Sequence, residues 1–305
     1  MHVQYQEILD TVHVKVSPLV GCGRVPDYIP VLAAVDPRLF GLALATTDGT
    51  VYGVGDWQTP LSIQSISKVF SLAVALSRHS EAIWRRVGRE PSGSPFNALQ
   101  QLENDRGVPR NPFVNAGALV VVDHLLTLTG DPTRAVLELL RTEAGNPTID
   151  VDQQMAKSEA DNRHRNAALA HLLASYGALA HPVDVVLDQY TALCAIAMSC
   201  QDLARTAGFL ARHGLRADGS RLLSRSNAKR LNATMLTCGT YDSAGEFAYR
   251  VGLPAKSGVG GGILAVVPNR CTLAVWTPGL DETGNSCAGR AALDAFTTLT
   301  GWSVF

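Results

Sequence analysis

The sequence predicts an α+β fold in which an antiparallel sheet is drawn from both ends of the chain and a helical block is inserted between its halves. Three observations carry this. Near the N-terminus, Phe40–Thr46 and Thr50–Val54 are strand-like runs on either side of Asp48-Gly49, a dipeptide suited to a tight hairpin. After Gly239 β-rich runs return at Glu246–Leu253, Gly261–Val267 and Cys271–Thr277, the last two joined by Pro268-Asn269. Between about residues 65 and 235 the apolar residues recur mostly at helical spacing. Hairpin connections make the sheet antiparallel.

Taken in order, residues 3–17 predict a helix with Ile8, Leu9, Val12 and Val16 on one side. Tyr28-Ile29-Pro30 opens a short apolar segment after the turn-like Gly21-Cys22-Gly23, and the hairpin follows. A buried helix starts near Ser65, with Val69, Phe70, Leu72, Ala73, Val74, Ala75 and Leu76 in close succession. Further helices are expected at 116–128, 132–144, 153–175, 183–197 and 201–213. Segment 88–115 breaks the pattern with repeated Gly, Pro and Asn, and a loop that long in a compact domain is commonly functional. A helix over 286–299 closes the chain. The expected organisation is one domain over 1–305, with a sheet lobe from 1–63 and 240–305 and a helical lobe over 64–239.

The bulk composition excludes several classes. The 305 residues are 46% hydrophobic and 17% charged, with net charge −1, an ordinary globular balance without a basic run for nucleic acid. The first residues, Met1 to Glu7, have neither the basic nor the apolar region of an export signal, and no apolar stretch is long enough to span a membrane. Six cysteines without a C-x-x-C pair read as reduced, mostly buried thiols, so a cytoplasmic location is expected. The histidines show no metal-binding spacing, with His164 and His171 better suited to surface and core than to a metal.

Chemistry concentrates at Gln64-Ser65-Ile66-Ser67-Lys68. A serine hydroxyl needs a base to become a nucleophile, and a lysine three residues on, desolvated at the head of a buried helix, can serve as one. A second S-x-x-K pair, Ser226 and Lys229, lies in the polar stretch 224–230 and reads as an exposed helix start. Near the C-terminus, Lys256-Ser257-Gly258-Val259-Gly260-Gly261-Gly262 puts a cation, a hydroxyl and closely approachable backbone N–H groups just before an apolar strand. Glu159 and Asn166, seven apart, fall on one face of the helix expected at 153–175. By residue type alone Glu159 also fits a solvent-facing helix position, Asn115 a helix N-cap, and Tyr190 and Tyr241 core aromatics.

The S-x-x-K and K-S-G pair resembles the serine β-lactamase and penicillin-binding-protein superfamily, but the S-x-N or Y-x-N motif of those enzymes is absent. The chain is more similar to the serine-dependent glutaminase family. The resemblance runs from about Tyr28 to the C-terminal helix through D-Y-I-P (27–30), Q-S-I-S-K (64–68), E-P-S-G-S-P-F-N (90–97), N-P-F-V-N-A-G-A (111–118), S-E-A-D-N-R-H-R-N-A-A (158–168), Y-D-S-A-G-E-F-A (241–248) and K-S-G-V-G-G-G-I (256–263). It implies a β-lactamase/transpeptidase-like, three-layer α/β/α fold and hydrolysis of L-glutamine through a γ-glutamyl-serine. It implies Ser65 as nucleophile, Lys68 as its base with or without a tyrosine relay, and Tyr241 as proton donor. Asn115, Glu159, Asn166, Tyr190, Tyr241, Tyr28 and the Val259 backbone are implied as substrate contacts. Lys256 has no assigned chemistry. The family further implies no metal or organic cofactor and a homodimer or homotetramer.

Overall fold

The computed structural model describes residues 4–78 and 81–305. The first strands, Gly41–Thr46 and Val51–Gly55, form the expected hairpin. Gly41–Thr46 then pairs antiparallel with Cys271–Trp276, so Ala43 faces Ala274 across the ladder. Gly262–Val267 and Ala255–Ser257 complete a five-stranded antiparallel sheet closed from both ends of the chain.

Side-chain alternation divides this sheet into two cores. Leu42 and Leu44 face helices Tyr5–Val16 and Cys287–Thr300, which bring Leu9, Val12 and Phe296 to that side. Ala43, Ala45 and Ala274 face the helical block, with Phe70, Leu119 and Phe209 in its core. The small alanines allow close approach there: Thr272 Oγ1 donates to the Ala204 carbonyl at 2.5 Å. Helices therefore cover both faces of the sheet, giving an α+β, β-lactamase-like architecture. A second antiparallel sheet of three short strands, Leu61–Ser62, Ile196–Met198 and Asp150–Val151, lies under the start of the buried helix.

Several elements differ from expectation. Glu246–Leu253 is not a strand: Ala244–Arg250 is helical, with Phe247 and Val251 buried four residues apart and Arg250 donating to Glu246 one turn back. The helix expected over 153–175 is two helices, Gln153–Asp161 and His164–Ser175. Asn162 ends the first by turning its side-chain amide back to the Ser158 carbonyl at 2.8 Å, an alternative that short polar side chains offer against helix continuation. The 183–197 helix stops at Cys194 because Ile196–Met198 is taken as a strand, and 201–213 divides into Cys200–Thr206 and Gly208–Ala211. The 88–115 loop contains a short helix, Leu99–Asn104. The N-terminal helix begins at Tyr5, and Val3, where it was expected to start, lies outside the described residues.

Candidate active site

Ser65 sits in a single 3-10 turn, Gln64–Ile66, that leads into the helix Ser67–Arg78. The first N–H groups of such a helix have no intrahelical acceptor, so they point outward as donors. Gln64, just before the serine, has φ +48, and Tyr241 has φ +60. Non-glycine residues rarely adopt this left-handed region, and such strain tends to persist where surrounding packing enforces a functional geometry.

The glycine-rich turn after Ser257 presses against this serine turn. A Cβ on Gly258 would meet the Ile63 carbonyl at 2.7 Å, and one on Gly260 the Ser62 carbonyl at 2.6 Å. Only glycine allows that approach, which puts the intervening Val259 in the wall beside Ser65.

Ser65 and Lys68 are both buried, at 7% and 3% exposure, whereas Ser226 and Lys229 of the second S-x-x-K pair are exposed. Burial pulls the Lys68 amine down from its ordinary value to about 8, with the nearby Cys194 and Glu159 partly opposing the shift. Lys68 Nζ donates to the Phe113 carbonyl at 3.2 Å and to Asn115 Oδ1 at 2.6 Å. Asn115 Nδ2 in turn donates to Asn166 Oδ1 at 2.8 Å. This chain of bonds fixes both amides: with its oxygen engaged, Asn166 has its own NH2 left to donate. Asn115 is the first helical residue of Asn115–Thr129 rather than its cap, a position that Val114 fills.

The Tyr241 hydroxyl donates to the Ser257 carbonyl at 3.2 Å and also hydrogen-bonds Ser65. Burial raises the phenol well above its ordinary range, and hydrogen bonding with the Ser65 and Ser257 side chains only partly offsets this. Its ring lies 4.7 Å from that of Phe96 and 4.4 Å from Lys256 Nζ. Lys256 is fully buried and donates to the Ser257 carbonyl at 2.6 Å, and burial together with the charge of Lys68 pushes its amine far down. It thus shares the Ser257 carbonyl with the Tyr241 hydroxyl.

A cavity of about 370 Å³ collects most of the expected residues: Tyr28, Ser65, Asn115, Glu159, Asn166, Tyr190 and Val259 line it. Lys68 stands behind this wall, its Nζ 5.7 Å from the centre of the Tyr190 ring, and Tyr28 is half-exposed. Glu159 and Asn166 converge here although they belong to different helices, so the turn at 162–163 brings them together rather than a shared helix face. Glu159 is buried, its Oε1 has no hydrogen-bond partner, and burial raises its carboxyl against a hydrogen bond from Gln64 and the attraction of Lys68.

Sequence reasoning missed Gln64, Phe96, Asn97, Arg165 and Cys194, which also line the cavity. All but Cys194 stand inside the quoted family stretches, which is the signal that could have found them. Cys194 sits in an apolar helix and offers no signal. Its thiol is pushed up to about 12 by burial, so it remains protonated and is a poor nucleophile. Among the described residues no group of three or more His, Cys, Asp or Glu side chains is arranged to hold a metal ion, and no helix is long and apolar enough to cross a membrane.

An antiparallel sheet covered on both faces, with a buried serine and lysine at the head of a helix and a K-S-G strand opposite, defines the serine β-lactamase-like class. The glutaminase family model matches residues 23–305. A glutaminase of Streptomyces coelicolor is 63% identical over 99% of this chain and 98% of its own, and one of Paraburkholderia phytofirmans is 51% identical over 99% and 100%. Among solved structures, a probable glutaminase superposes with TM-score 0.93 at 36% identity over 98% of this chain and 97% of its own. A probable glutaminase from Bacillus subtilis, complexed with 6-diazo-5-oxo-L-norleucine, has TM-score 0.89 at 30% identity over 100% and 98%. The chain belongs to the glutaminase family, amidohydrolases that convert glutamine to glutamate.

Proposed function

We propose that the chain hydrolyses L-glutamine through a γ-glutamyl ester on Ser65. One observation carries this: a single cavity is lined both by the buried Ser65 and by Glu159, whose buried carboxylate oxygen Oε1 has no partner. An unpartnered buried oxygen is costly unless a ligand completes it, and an α-ammonium does so with a charge-assisted bond. The free NH2 of Asn166 donates to the α-carboxylate, and Tyr190 and Tyr28 wall in the aliphatic part.

Lys68 in its neutral form has two N–H donors and one lone pair. The two donors match the Phe113 carbonyl and Asn115 Oδ1, leaving the lone pair for the Ser65 proton. A tyrosinate base at Tyr241 is disfavoured because burial raises that phenol. Ser65 Oγ then attacks the γ-carboxamide carbon, and the oxyanion is met by the backbone N–H groups of Ser65 and Val259. Tyr241, still protonated, donates to the leaving nitrogen as the C–N bond breaks. The Lys68 ammonium returns its proton to the Tyr241 oxygen, and the amine, neutral again, deprotonates the water that cleaves the ester; that proton then passes to Ser65 Oγ as it leaves. The expected setting remains the cytoplasm, with the enzyme as a homodimer or homotetramer.

The Bacillus subtilis relative was solved with 6-diazo-5-oxo-L-norleucine, a diazoketone shaped like glutamine. Incubating this protein with that reagent and mapping the product by mass spectrometry should give one adduct on the peptide containing Ser65. An adduct elsewhere, or none, would overturn the assignment of the nucleophile. The base has its own signature. Because the neutral form of Lys68 is the active one, kcat/KM should rise about tenfold per pH unit and level off above about 8. A profile flat from pH 6 to 9 would remove Lys68 from that role.

A further inference from the structure

We propose that the enzyme also cleaves γ-glutamyl amides whose nitrogen has a short cationic alkyl chain, releasing a diamine in place of ammonia. This rests on the acyl-enzyme reading above.

A groove of about 620 Å³ adjoins the cavity and shares Tyr28, Phe96 and Val259 with it. None of Asn115, Glu159, Asn166 and Tyr190, which take the amino-acid end of the substrate, lines the groove. Instead it reaches Asp242, next to Tyr241, and Gly284, where a Cβ would lie 3.7 Å from the Tyr241 ring. The groove thus runs past the ring of the proposed proton donor, while Ser65 itself lines only the adjoining cavity. Ammonia is no larger than a water molecule, which occupies about 30 Å³, so hydrolysis of glutamine alone leaves this volume unused.

The groove wall has a definite sign. Asp27, Asp242, Asp281 and Glu282 line it together with one arginine, Arg24. Asp281 is paired with Arg290 at 3.0 Å, and Arg24 faces Asp27 at 3.8 Å. Asp242 and Glu282 have no ion pair among the described residues. Two exposed carboxylates without an ion pair on the groove wall favour an N-substituent that reaches them with an ammonium and disfavour one that ends in a carboxylate.

The chemistry uses the same steps. The Ser65 Oγ–carbon bond forms, the bond from that carbon to the substituted nitrogen breaks, and Tyr241 supplies the proton that lets the nitrogen leave as an amine. The distal ammonium takes no part in bond-making. Water then cleaves the γ-glutamyl ester, so the products are glutamate and the free diamine.

The test compares kcat/KM for three γ-glutamyl amides, of 1,4-diaminobutane, butylamine and 4-aminobutanoate, with glutamine as the control. The expected order is cationic over neutral over anionic, with about tenfold between the first two at low salt and less at high salt. In the double variant Asp242→Asn/Glu282→Gln the cationic preference should fall to near one. Equal rates for the cationic and neutral amides, or a preference that survives the double variant, would overturn the proposal. Cleavage of glutamine without cleavage of any substituted amide also defeats it and leaves the acyl-enzyme reading intact. Failure to form the Ser65 adduct with the diazoketone would defeat both.

Discussion

Ser65→Ala is expected to yield a folded protein that releases no measurable ammonia from glutamine. Removing the atom that bonds to substrate takes away every step that depends on the ester, and losses of about 10⁶-fold in kcat are the scale for a nucleophile acting with its base. The fold should barely register the change. Ser65 is small and buried, and its neighbour Tyr241 keeps its donation to the Ser257 carbonyl, so one net hydrogen bond is lost, about 1 kcal/mol. The left-handed Gln64 and the packing of Gly258 and Gly260 do not depend on the hydroxyl. A glutamine-dependent ammonia assay beside a thermal melt checks both halves. Activity within tenfold of wild type in a normally melting protein would remove Ser65 from the centre of the reaction.

Glu159→Gln is expected to have the next largest effect, expressed in substrate affinity. The variant replaces a buried carboxylate by an amide of the same shape, so the cavity wall is preserved while the charge that meets the ammonium is lost. Truncating one partner of a buried, hydrogen-bonded charge pair costs about 2–5 kcal/mol, and a value near 3 is over a hundredfold in kcat/KM. Stability should move the other way. Burial raises the Glu159 carboxyl, so ionising it at neutral pH is harder in the folded chain than in the unfolded one. The neutral amide avoids that cost, and the variant should melt no lower than wild type, as happens where a site sacrifices stability for function. A KM within threefold of wild type, or a lower melting temperature without a change in KM, would show that Glu159 has a structural role only.

The parts of this protein that could be read in the sequence are those whose signal is local. The Asp48-Gly49 hairpin, the buried run after Ser65 and the closing helix are encoded in turn chemistry and short-range apolar spacing, and they form where expected. The segment 246–253 was misjudged because Phe247 and Val251 support either period over so short a span, and packing against the sheet decided for a helix. The break at Asn162 escaped notice because one side-chain hydrogen bond ends the helix without a proline or glycine to announce it.

By itself the sequence determined the family, through its ordered motifs, and pointed to a type of chemistry through a hydroxyl and an amine three residues apart at a helix start and a glycine-rich K-S-G segment. Tertiary structure alone decided how these act on one another. Burial, which is a property of the packed whole, lowers Lys68 to about 8 and leaves Glu159 Oε1 without a partner. The hydrogen bonds from Lys68 to Asn115 and on to Asn166 span 47 and 51 residues, distances over which local sequence pattern contains no information. Cys194 and the acidic groove beside Tyr241 are visible only in three dimensions, because desolvation and charge summation depend on which surfaces the fold brings together.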